Sequence, residues 1–164
     1  MPTSLIPETG AVVSGANCFV DLTAADSYFA LRANATWAAA TTAAKEAAII
    51  RGADFLCQAY RFKGARYQQA QALCWPRIGA SDADGRAIAF NAIPQALKEA
   101  NCEAALRSLA GDLAPDENKE VVRKSIAGAV DTTFRAGSPS KTFPVLDRLL
   151  SGLVQGGSLA VVLA

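Results

Sequence analysis

Between Arg51 and Arg77 the chain carries five basic residues, Arg51, Arg61, Lys63, Arg66 and Arg77, against one acid, Asp54. The aromatic residues Tyr60, Phe62, Tyr67 and Trp75 are interleaved with them. Cations neutralise phosphates and flat rings stack unpaired bases, so this composition fits a groove for single-stranded nucleic acid. From Glu99 to Glu120 the balance reverses, with Glu99, Glu103, Asp112, Asp116, Glu117 and Glu120 against Arg107 and Lys119. The two segments also fit the complementary halves of a head-to-tail contact, which closes into a ring where the rotation permits. A third reading is two solvated faces that differ in sign. The formal net charge is only +1, and phosphate binding usually draws on a stronger positive field, which favours the subunit contact over the groove. Trp75-Pro76-Arg77 reads as a docking element in which Pro76 fixes the backbone, Trp75 buries a large surface and Arg77 pairs with a carboxylate. A loop pinned to the core by Trp75 competes with a base-stacking site, and is favoured.

Other chemistry is excluded by what the chain lacks. It has no histidine, so a Ser-His-Asp triad, a His-activated cysteine and His-ligated metal sites are impossible. Cys18, Cys57, Cys74 and Cys102 show no CxxC spacing and read as reduced, buried small hydrophobes. Asp82-Ala83-Asp84-Gly85 lacks the further ligands and terminal Glu of a calcium loop and reads as a solvated turn. No apolar run approaches the ~20 residues of a membrane span, and the first residues lack a charged stretch followed by an apolar one. The expectation is a soluble, cytoplasmic protein that is not an enzyme and needs neither cofactor nor metal.

The elements that would position these residues are mostly helical. Of 164 residues, 35 are alanine and 51% are hydrophobic, so the larger apolar residues make up only about 30% and one subunit's core is thin. The first twenty residues, rich in Gly, Pro, Ser and Thr, form an extended arm. Thr23 and Asp26 resemble a capping box opening a helix through Ala33, with Asn34 as its stop. A second helix spans Thr42 to Tyr60, with Ile49, Ala53, Leu56 and Tyr60 on one face. Arg61 to Asn91, punctuated by Gly64, Pro76, Gly79 and Gly85, is mostly loop, with a helical turn at Gln68 to Leu73. Pro94 suits the first position of a third helix ending at Gly111. The β-branched residues from Glu120 to Phe134 favour strand over helix, and Pro144 opens a short helix through Leu153. The expected fold is therefore mainly α, a small bundle of three to four helices with an extended N-terminal arm, a short β element and an extended C-terminal tail. Its parts are an arm at 1–21, a helical core domain at 22–113, the β element with a short helix at 114–156, and an apolar tail at 157–164. In that tail Leu159, Val161, Val162 and Leu163 follow a Gly-Gly hinge, and fit either a last strand of the same subunit or one added to a partner's sheet edge.

The order of motifs resembles a family of tailed-phage proteins. It runs from Gly15-Ala16-Asn17-Cys18-Phe19-Val20 through Ala25-Asp26-Ser27-Tyr28-Phe29-Ala30 and Trp37. It continues in Phe62-Lys63-Gly64-Ala65-Arg66, Gln71-Ala72-Leu73-Cys74-Trp75-Pro76-Arg77 and Ile93-Pro94-Gln95-Ala96-Leu97-Lys98. Members are labelled DnaT-like single-stranded DNA-binding proteins, and also look like head–tail connector (adaptor or head-completion) proteins. The connector reading implies a virion neck protein, assembled in the host cytoplasm. It would form a ring of about twelve copies under the portal, in contact with stopper or tail-terminator proteins and transiently with double-stranded DNA. The DnaT-like reading implies a replication-associated single-strand binder. Near-neutral charge, a thin core and the opposed charge segments favour the connector. On that expectation Arg61, Lys63, Arg66 and Arg77 line the lumen or the subunit interface. Glu99, Glu103 and Asp112 supply the acidic side of the interface, and Leu159, Val161, Val162 and Leu163 dock on the portal or a neighbour. Trp75, Pro76 and Pro94 are structural.

Overall fold

The computed structural model describes residues 5–114, 121–126, 130–134 and 143–155. The protein is mainly helical, as the sequence implies: α1 (Leu22–Ala30), α2 (Ala35–Ala39), α3 (Thr42–Ala59), α4 (Gln95–Ala110) and α5 (Pro144–Leu150) are joined by four short strands. The strands form two antiparallel ladders, β1 (Ala65–Arg66) with β2 (Arg77–Ile78), and β3 (Val121–Ile126) with β4 (Val130–Phe134). Within the segment read as strand from Glu120 to Phe134, the described residues form two antiparallel strands. The apolar tail, with Leu159, Val161, Val162 and Leu163, lies outside the described residues.

Short polar side chains set the helix starts. Asp21, in extended conformation, accepts the Ala24 N–H at 2.7 Å and caps α1. The expected capping box is displaced because Thr23 and Asp26 already lie inside the helix, where Asp26 faces α2 and α3. Its Oδ1 accepts from Trp37 Nε1 at 2.7 Å and pairs with Lys45 Nζ at 2.9 Å. Asn34 does more than stop α1. Its own N–H closes on Phe29 O, and its side chain accepts the Trp37 N–H at 2.9 Å, opening α2, a helix the sequence pattern does not reveal. Thr41 caps α3 in the same way. Pro94 is the cap of α4 rather than its first helical residue, and its carbonyl accepts from Leu97 and Lys98. The helical turn expected at Gln68 to Leu73 reduces to a single hydrogen-bonded turn from Gln71 N to Gln68 O.

The core is built on α3, about 27 Å long at 1.5 Å per residue, packed along α4. The seam consists of small residues: Ala48, Gly52 and Ala53 on one helix, Ala100, Ala104 and Ala105 on the other, all buried. At Gly52 the approach is closest, since a Cβ there would stand 2.9 Å from Ala105 N and 3.1 Å from Asn101 O. Large apolar residues fill around this seam, with Ile49, Leu56, Leu97, Trp37 and Phe29 buried and Leu146, Leu150 and Leu153 closing it as α5 packs on α4. Asn101, fully buried, accepts from Phe19 N at 3.0 Å and donates to Ile49 O at 2.9 Å. That side chain ties the N-terminal arm to α3. The arm doubles back around Glu8, whose buried carboxylate accepts from the backbone N–H groups of Gly10, Val12 and Val13.

Candidate nucleic-acid interface

The basic, aromatic segment leaves α3 at Tyr60 and returns to α4 at Pro94. Its first limb is tied to the segment after α5. Lys63 N and Gln155 N donate to Leu153 O and Arg61 O at 2.8 Å each, and Phe62 bridges Val154. The chain then turns through Gly64 into β1, whose residues Ala65 and Arg66 pair with Ile78 and Arg77 of β2. Tyr67 N donates to Pro76 O at 3.1 Å, extending the ladder by one residue. Beyond β2 the chain folds back again, with Ile88 N on Ala80 O at 2.9 Å and Asp82 N on Arg86 O at 2.9 Å. The Asp82–Gly85 turn that joins these limbs is organised by Asp82 Oδ1, which accepts from Asp84 N and Arg86 N.

The structure sorts the candidate residues into two groups. Arg77 points inward. Its Nε donates to Lys63 O (2.7 Å), Nη1 to Cys74 O (3.2 Å), and Nη2 to Phe62 O (3.1 Å) and Gly64 O (2.6 Å). Among the described residues it meets no carboxylate; burial, and then the nearby Arg66 charge, pull its pKa below the usual guanidinium value. Lys63 Nζ donates to Gly152 O at 2.8 Å. Three of the four candidate stacking rings are core: Trp75 and Phe62 are buried edge to face, and buried Tyr60 donates its hydroxyl to Asp147. Burial, reinforced by that carboxylate, raises the Tyr60 pKa. Trp75 pins the loop to the body, and the carbonyl of buried Pro76 serves Tyr67 N and Gln71 Nε2.

The other group faces water. Tyr67 is 41% exposed and Phe90 47% exposed, with ring centroids 4.9 Å apart and planes tilted by 31°. Ile78 is 53% exposed. It stands opposite Ala65 in the ladder, so by strand alternation it shares a face with Tyr67. Only five large hydrophobic residues are exposed among the described residues, and three of them are Tyr67, Ile78 and Phe90. Such clustering marks a binding surface more than a random scatter does. Arg61, Arg66 and Arg86 are exposed on the same loop system. They form no ion pair among the described residues, where the two pairs are Lys45–Asp26 and Arg107–Glu103.

The described residues of the acidic segment make contacts within the chain. Glu103 pairs with Arg107 at 2.7 Å and accepts the Tyr28 hydroxyl at 3.0 Å, and Glu99 accepts from Gln95; Asp112 is engaged as well. The expectation of four reduced cysteines also changes. Cys57 of α3 and Cys74 are joined by a disulfide with Cα atoms 5.2 Å apart, and only Cys18 and Cys102 are free and buried. A separation of 17 residues with no motif gives no sign of this pairing, which follows from the loop folding back on α3.

Residues 3–164 match the model of a family described as "Putative DnaT-like ssDNA binding protein". The chain belongs to this family. No curated protein and no solved structure matches it. The family's description is one of single-stranded DNA binding. It therefore overturns the head–tail connector reading, and with it the portal-bound ring and its stopper and tail-terminator partners. Among the described residues no helix is long and apolar enough to cross a membrane. Within the family's segment, sequence reasoning found Tyr67 and Arg66 but missed Phe90 and Arg86. The usable signal was the Gly85 turn between short β-prone pieces, which brings residues 87–90 back beside the ladder.

Proposed function

We propose that this protein binds single-stranded DNA, without catalysis, on the outer face of the β1–β2 ladder. The observation that carries the reading is the exposed Tyr67–Phe90 ring pair, on a loop system that also carries three exposed arginines with no carboxylate partner among the described residues. Ring faces in water are open to unpaired bases, whereas the bases of a duplex are stacked on each other and expose only their edges. Arg61, Arg66 and Arg86 supply sequence-blind contacts to phosphate. Membership of a family described by single-stranded DNA binding supports the same function. The near-neutral net charge is compatible with it, because stacking rather than a strong positive field provides the attraction.

The test is a fluorescence anisotropy titration with a labelled oligothymidylate and with a duplex of equal length. Binding of the single strand in preference to the duplex is expected. Tyr67→Ala and Phe90→Ala should each weaken it by roughly 5- to 150-fold, the worth of about 1–3 kcal/mol per stacked base. Equal affinity for both nucleic acids, or indifference to both substitutions, would refute the reading.

A further inference from the structure

We propose that Arg77 is the positioning residue of this site: its guanidinium never meets the strand, and instead places Tyr67 by gathering the backbone of both limbs of the loop. The proposal rests on the single-stranded DNA reading above. The carbonyls it binds belong to Phe62, Lys63 and Gly64 before β1 and to Cys74 before β2. Four of its five N–H donors are thus committed to backbone. Tyr67 stands one residue beyond the Arg66–Arg77 pair of the ladder, with its N–H on the Pro76 carbonyl. Whatever fixes the two limbs against each other therefore fixes the Tyr67 ring relative to Phe90.

Neighbouring features are shaped for this guanidinium. Gly64 has φ +70°, and a Cβ there would run into the backbone at Ile78, Gly79 and Ala80. Only glycine lets the chain turn so tightly and offer its carbonyl to Arg77. Lysine cannot substitute, because a single ammonium on a flexible stem does not reach four carbonyls spread around a planar fork. The two arginines that face each other across the ladder thus divide the work. Arg66 is exposed and available to phosphate, while Arg77 is half-buried and serves the loop.

The experiment compares the full chain with Arg77→Lys and Arg66→Gln, using a fluorescein-labelled oligothymidylate over a range of salt concentrations. Arg77→Lys should weaken binding by about tenfold or more, the worth of one base stack, with the log–log salt slope unchanged. Arg66→Gln should reduce the magnitude of the slope by about 0.7. A slope reduced in Arg77→Lys, or an unchanged affinity, would overturn the proposal. Nitrogen-15 spectra of the wild-type chain provide a readout that does not depend on folding of a variant. The Arg77 Nε–H should resist solvent exchange and keep its shift when the oligonucleotide is added, and a DNA-induced shift at that resonance would also overturn it. Should the wild-type chain not bind the oligonucleotide, the functional reading fails by itself. Cross-peaks between the Tyr67 and Phe90 rings then decide the role of Arg77: their loss in Arg77→Lys supports it and their persistence refutes it.

Discussion

The salt dependence of DNA binding should be shallow for a nucleic-acid-binding protein, and the structure says by how much. Five basic residues crowd the segment from Arg51 to Arg77, but Lys63 and Arg77 are spent on backbone carbonyls, and Arg51 is bonded to Ser108. The exposed cations of the loop system that are free to meet phosphate are Arg61, Arg66 and Arg86. Three contacts at ~0.7 each give a log–log slope of about −2, so raising salt from ~50 to ~200 mM should weaken binding about 20-fold. Had Lys63 and Arg77 also reached phosphate, the slope would be about −3.5 and the loss over the same range about 130-fold. Anisotropy titrations with an oligothymidylate at four or more salt concentrations separate these values. Tyr67→Ala should lower the whole line without changing its slope, because ring stacking releases no counterions. A slope steeper than about −3 would refute the commitment of Lys63 and Arg77 to backbone carbonyls. A slope near zero would refute phosphate contact by the three arginines.

The remaining predictions concern the body that carries the loop. Gly52→Ala should lower the melting temperature by roughly 3–6 °C, because overpacking against the α4 backbone outweighs the better helix propensity of alanine. Asn101→Leu should cost about 1–3 kcal/mol in a urea titration, since it strands the buried Phe19 N–H. Burial alone would raise the Asp26 carboxyl, but the hydrogen bonds from Lys45 and Trp37 together with the Lys45 charge hold its pKa below the ordinary value. Its stabilising contribution is therefore complete above the pKa of an unfolded Asp and fades as pH falls through the lower folded value; Asp26→Asn should flatten stability against pH in that acid range. Burial pushes the Cys18 and Cys102 thiols up to about 11 and about 12, so neither should be alkylated in the folded protein at neutral pH. Unfolding without reductant should expose two reactive thiols, and unfolding with it four; four in both cases would refute the Cys57–Cys74 disulfide.

The helical body was legible because its signals are local. The starts of α3 and α4 follow from Thr41 and Pro94, and their inner faces from apolar spacing along one chain segment. Alanine content pointed to a core thin in large side chains, and the tightest point of its packing is a glycine, Gly52. The loop was not legible to the same degree, since its order comes from contacts across sequence. Nothing near Arg77 announces that its partners are carbonyls up to fifteen residues away. Nothing near Tyr67 points to Phe90, and nothing in the spacing of Cys57 and Cys74 announces their bond. Charge counting failed for a related reason. It treats every lysine and arginine as a surface charge, whereas here the fold withdraws two of them for its own backbone.

The alanine and glycine seam between α3 and α4 restricts how this sequence can change. At most core positions, drift can go both ways, towards smaller side chains that leave cavities and towards larger ones that are squeezed. At Ala48, Gly52, Ala53, Ala100, Ala104 and Ala105 the side chains are already near the minimum. Nearly every substitution open to them adds volume between two backbones that have no room to part. Homologous chains should therefore hold this stripe nearly constant in residue size, and place their variation at exposed positions of the loop from Arg61 to Asn91, away from Gly64, Trp75, Pro76 and Arg77. Affinity for different strands can then be retuned on that loop while the helical body stays the same.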